Sequence, residues 1–161
     1  MNLFGIHLTQ VHAHLLLNHF PITGLFVAWL LLLGATLFKQ RAVVGGALWM
    51  IILCAGMAFP VMETGEHSGG ILWTQLDKRG QHWLHEHGER ADKISKACYV
   101  LAALALLGFG ARVLNPKMDA FVAWLMILLT AGVIVGTVWV ADAGGKIRHS
   151  ELRAAGESDH H

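Results

Sequence analysis

The sequence predicts an all-α fold, an integral membrane four-helix bundle running up-down-up-down, and three observations lead there. Hydrophobic residues make up 55% of the 161 and charged residues only 14%, a balance too apolar for a soluble domain of this length. Four stretches, at about 20–38, 43–62, 98–114 and 120–141, match or approach the roughly 20 apolar residues that cross a hydrocarbon core. The polar connectors alternate short, long, short, which pairs consecutive spans as hairpins. With the polar turns that flank them, the spans are expected at about 12–38, 43–63, 84–114 and 119–142, forming one domain with a polar tail over 146–161.

The first span opens on "HAHLLLNHFPI" (12–22). No Lys or Arg precedes it within the first ten residues, and the apolar run outlasts a signal-peptide core, so no cleaved targeting sequence is expected. "KQRA" makes the first turn. After the second span, Gly65, Gly69, Gly70 and Gly80 punctuate a long polar segment that reads as a connector. Leading into the third span, Ala105, Leu101, Cys98, Ile94 and Ala91 recur at three- and four-residue steps, and the next member of the stripe is His87. Asn115-Pro116 stops that helix, and the fourth span ends ahead of Gly144-Gly145. Cys54 and Cys98 fall inside spans without a C-x-x-C pattern, which suits packing rather than a disulfide, zinc ribbon or covalent haem. The formal charge of +1 offers nothing to a nucleic acid.

Four spans put both termini on one side, and all eleven histidines belong to that side or its edge. The two short turns hold Lys39, Arg41, Arg112 and Lys117, so the positive-inside rule sets them in the cytoplasm. Both termini then face the periplasm of a bacterial inner membrane.

Eight histidines sit at span ends, and each helix brings at least one: His12, His14 and His19, then His67, then His82, His85 and His87, then His149. His7, His160 and His161, at or near the termini, read as surface residues. An imidazole at such an edge serves as an interfacial polar group, a proton relay, a ligand to a bare metal ion, or an axial ligand to haem iron. Residues seven apart share a helix face while residues five apart diverge by about 140°, so His12 and His19 share a face that His14 does not. His19, at the first embedded turn ahead of Pro21, is expected to be an axial ligand, with His14 serving a separate site. His87 is the better ligand on the third span and His85 the second, since His82 and His85 lie with Glu89 and Asp92 on a solvated stripe. His67 and His149 follow on less regular segments. Glu63 and Asp142, at the ends of spans 2 and 4, read first as ordinary interfacial acids, with orienting a ligand through its second nitrogen or carrying a proton as the alternatives.

"HLLLNHFPI" (14–22) resembles the H-P-L-L-V-H-F-P-I opening of a family of bacterial four-helix membrane proteins of unsettled function, whose members are suspected b-type haem binders. "TGEH" (64–67) is similar to that family's threonine-glycine after its second helix, and "GGKIRH" (144–149) to its G-G-x-L-V-Y-R-H ending. The resemblance runs over almost the whole chain and implies ligand positions at His14, His19, His85 or His87, and His149. Leu15 replaces the motif's proline, Asn18 replaces an apolar residue, and the closing motif is two residues shorter.

Together these readings favour a b-type cytochrome subunit in which His14, His19, His87, His149, His67 and His85 supply the ligands of one or two b haems near the outer face. It would act as a non-catalytic electron carrier in an oxidoreductase complex or homo-oligomer, with lipid around it and a quinol or redox subunit as partner. Copper or zinc binding at a His-Glu-Asp cluster, and a cofactor-free structural subunit, are the alternatives.

Overall fold

The computed structural model describes residues 9–153 in full and, before them, only the backbone pairing of Asn2–Leu3 with Ile6–His7. The tail beyond 153, with His160 and His161, lies outside the described residues. The chain is an all-α four-helix bundle whose four helices are long and apolar enough to cross a membrane: Gln10–Leu37, Arg41–Trp73, Lys78–Leu114 and Pro116–Arg148.

Prolines divide the first hairpin. Helix α1 (Gln10–Leu17) starts at Thr9, whose hydroxyl accepts the His12 N–H, and passes through a π turn at Phe20–Gly24 into α2 (Leu25–Leu37). Pro21 opens that turn, because a proline has no N–H to return to the carbonyl four residues back. In the second span α3 (Arg41–Gly56) gives way to α4 (Ala58–Trp73) at Met57, three residues ahead of Pro60. The second hairpin has no interior proline and runs uninterrupted as α5 (Lys78–Leu114) and α6 (Asp119–Arg148). Asp77 caps α5 by accepting the Gly80 N–H at 2.8 Å, and Asn115 accepts the Lys117 N–H where Pro116 begins the last turn.

Two helices continue past their expected ends. The glycines after the second span read as a connector, yet α4 carries on through Gly65, Gly69 and Gly70 to Trp73, and α6 runs through Gly144-Gly145 to Arg148. Each interior glycine costs a helix about 1 kcal/mol against alanine. Gly65 and Gly144 are retained where an imidazole from another helix presses on the backbone, and a side chain there would meet it at 3.0–3.1 Å. The connector between the hairpins is thereby reduced to the turn between Trp73 and Lys78.

Packing is dense in one half of the bundle. Leu25, Leu32, Leu48, Ile51, Leu101 and Met126, with Cys54 and Cys98 among them, form an apolar core on the short-turn side. Trp29 ties α2 to α6 by donating to the Ile127 carbonyl at 3.0 Å. Close approach of the helices is provided by Gly24, Gly108 and Gly136, which seat Cys54, Val122 and Ile94. At the short turns the buried Arg112 pairs with Asp119 and donates to the Arg41 carbonyl at 2.6 Å, lying over Gly45 and joining the two hairpins. Arg41 adds a second, exposed bond to Asp119 at 3.1 Å.

The other half is built differently. Among the described residues α1 buries none of its side chains, α4 beyond Ala58 buries only Ser68, and α5 and α6 bury Gly80, Trp83, Ser95, Thr137 and Ala143 there. Apart from Trp83, small and hydroxyl-bearing residues thus replace the large apolar ones on the histidine side.

Candidate functional site

Two histidines reach into that half from opposite hairpins, and they do so in the same way. His14 on α1 crosses to α4, where its Nδ1 donates to the Val61 carbonyl at 3.1 Å. His87 on α5 crosses to α6, where its Nδ1 donates to the Val140 carbonyl at 3.0 Å. Four residues beyond each acceptor stands the glycine that admits the ring: a Cβ on Gly65 would lie 3.0 Å from His14 Cε1, and one on Gly144 would lie 3.1 Å from His87 Cε1. Both rings are half-buried. His14 belongs to the first hairpin and His87 to the second.

The hydrogen bonds decide the chemistry of each ring. A carbonyl oxygen can only accept, so Nδ1 carries the proton and Nε2 keeps its lone pair. Fixing the tautomer and orientation of a ligating imidazole through its other nitrogen is the usual support of a metal ligand. One imidazole from each hairpin thus leaves an Nε2 lone pair, the kind of donor that would bind a haem iron or another metal ion. The interior of this half carries serine, threonine and glycine together with one large buried side chain, Trp83, one turn from His87. Among the described residues no group of three or more His, Cys, Asp or Glu side chains is gathered to hold a metal ion.

The remaining sequence candidates stand apart from this pair. His19 is exposed and donates through Nδ1 to the carbonyl of Leu15 on its own helix at 2.8 Å. His67 is exposed and makes the same bond to Glu63 O at 2.8 Å. His85 is exposed on α5, and His149, beyond the end of α6, pairs with Glu151 at 2.8 Å.

No family model, curated protein or solved structure matches this chain. The site therefore rests on its own geometry.

Glu63 and Asp142 do not take the orienting role their positions suggest. Each lies two residues past the carbonyl that does, and a two-residue step on a helix turns a side chain by about 200°. Both acids are exposed; Asp142 pairs with Arg90 and Lys146 instead. The orienting groups were invisible because they are backbone, though a sequence signal accompanies them. Val61-Met62-Glu63-Thr64-Gly65 and Val140-Ala141-Asp142-Ala143-Gly144 share the pattern Val-x-acid-x-Gly at the ends of spans 2 and 4, an internal repeat that marks both acceptors and both glycines.

Beside the site, Arg90 lies between the buried Trp83 and the exposed Trp139, 4.7 Å from the Trp139 ring centre and 5.6 Å from that of Trp83, and donates to the Trp139 carbonyl at 3.1 Å. Lys146 covers Trp83 at 4.4 Å. Adjacent carbonyls of α6, those of Trp139 and Val140, thus each receive a donor from α5. This clamp holds the two helices in the register that the His87 bond needs.

Proposed function

We propose that this chain is a b-type cytochrome subunit that holds one haem between His14 and His87. The observation that carries the reading is the repeated unit of histidine, valine carbonyl and glycine, which presents two Nε2 lone pairs from opposite hairpins. A haem bound there supplies a one-electron ferric–ferrous couple, and the chain's own part is to hold the rings in one tautomer, keep the hairpins in register and surround the macrocycle with small residues. Placing the bundle in a bacterial inner membrane, with the histidine half outward, is supported by Lys39, Arg41, Arg112 and Lys117 at the short turns. The chain then passes electrons between a membrane-soluble donor or partner subunit and an acceptor at the outer face.

The test is haem content per chain in purified protein, for wild type and for single alanine substitutions. His14→Ala and His87→Ala are expected to lose haem while staying folded and inserted. His85→Ala and His149→Ala are expected to keep it. Wild-type protein that holds no haem and cannot be reconstituted with it would end the proposal.

A further inference from the structure

His19 is not used by the site above, and its setting is unusual for an exposed imidazole. Its Nδ1–H is spent on the Leu15 carbonyl at 2.8 Å, so Nε2 is a bare acceptor on an exposed side chain. The residues around it are apolar and exposed as well: Leu15 and Leu16 one turn toward the terminus, and Phe20 next in sequence at the start of the π turn. His67 has the same internal hydrogen bond but follows the exposed acids Glu63 and Glu66 on its helix, where water can serve it. Among the described histidines, His19 combines an outward acceptor with an apolar surround on a span long enough to cross the membrane. Such an acceptor at the edge of the hydrocarbon lacks a donor unless an amphipathic partner brings one.

We propose that His19 is the hydrogen-bond acceptor of a docking site for the hydroxyl-bearing ring of a membrane-soluble quinol. A quinol answers each feature: its ring hydroxyl donates to Nε2, its aromatic face suits Phe20, and its tail is soluble in the lipid against Leu15 and Leu16. Five helical residues separate His19 from His14, about 7.5 Å along the axis, which sets such a ring beside the half of the bundle that carries the histidine pair. The inference rests on the electron-carrier reading, because that reading is what calls for a lipid-soluble donor.

The experiment uses the full chain in phosphatidylcholine vesicles with 15N-labelled histidine, titrated with tetramethylhydroquinone and, separately, with its oxidised quinone, which has no hydroxyl to donate. The His19 Nε2 resonance is expected to move with the quinol and not with the quinone. His19→Leu is expected to weaken quinol binding about five- to tenfold, the worth of one hydrogen bond, and to leave quinone binding unchanged. His19→Gln, which keeps an acceptor oxygen, is expected to recover part of the loss. Unchanged quinol affinity in His19→Leu, or a His19 resonance that responds only to added phosphatidylethanolamine, overturns the inference. Haem measured in the same samples separates the two claims: His19-dependent quinol binding without haem sustains this site and refutes the haem, and the reverse result does the opposite.

Discussion

Replacing Gly65 by alanine tests the histidine pair without touching a histidine. The added Cβ would sit 3.0 Å from Cε1 and 3.2 Å from Nδ1 of His14. Comfortable separations between such atoms are about 3.5–4.0 Å, so the ring must retreat by roughly 0.5 Å. Retreat from α4 stretches the bond from His14 Nδ1 to the Val61 carbonyl, now 3.1 Å, and carries Nε2 beyond the roughly 0.2 Å that a metal–ligand distance tolerates. Losing the outer partner of a ligating histidine typically costs ten- to a hundredfold in affinity, and a loss of that size is expected here. The helix itself gains about 1 kcal/mol from the exchange, so haem loss should come without unfolding. Gly144→Ala, with its Cβ 3.1 Å from His87, should behave alike, while Gly70→Ala, which meets nothing within 4 Å, is the control. The assay is titration of apoprotein with haem, followed in the Soret band, alongside thermal melting of each variant. If Gly65→Ala and Gly144→Ala bind haem as tightly as Gly70→Ala, the reasoning fails.

Two further predictions concern the ends of the bundle. Arg112→Ala removes the buried partner of Asp119 and the donor to the Arg41 carbonyl and should cost roughly 3 kcal/mol, whereas Arg41→Ala, with its exposed bond to the same acid, should cost under about 1 kcal/mol; denaturant titration in mixed micelles compares them, and equal losses would refute the assignment. At the histidine side, Arg153 grips Asp77 at 2.9 Å and the last carbonyls of α6, those of Lys146 and Ile147, at 2.8 and 2.7 Å. The Arg153 guanidinium first, then the Gly80 N–H, holds the Asp77 carboxyl below its ordinary range, so the clasp is fully present above the usual carboxylate value near 3.9 and is lost as pH falls through the depressed one. Amide protection over residues 149–153, taken relative to the intrinsic exchange rate at each pH, should be high at pH 7 and low in strong acid, and low at both in Asp77→Asn; equal protection in Asp77→Asn at pH 7 would contradict the clasp.

The helices and much of the interior were legible in the sequence because both follow from periodicity. The stripe from Ala105 through Leu101, Cys98 and Ile94 to His87 does face inward, with the first three buried and the last two half-buried. The five- and seven-residue spacings separate His14, half-buried, from His12 and His19, both exposed. Which of these faces meets the bundle is a different matter. His14 and His19 both stand near the mouth of span 1, and the α4 backbone, not any local pattern, draws His14 inward. The helical extension of α4 through three glycines was likewise hidden, since glycine signals a turn locally and a close approach only when the approaching ring is known. For the same reason the sequence offers Glu63 and Asp142, and not Val61 or Val140, as alternatives for the orienting role: carboxylates can be read from a sequence, whereas carbonyls are present at every residue and become acceptors only through the fold.

The most direct test of the histidine pair is electron paramagnetic resonance of the purified, oxidised protein, read with the same spectrum of His14→Ala and His87→Ala. Expected is a low-spin ferric signal typical of two imidazoles in wild type, converted to high spin or lost with the haem in either variant and unchanged in His85→Ala. A low-spin signal that survives the loss of both His14 and His87 would contradict it.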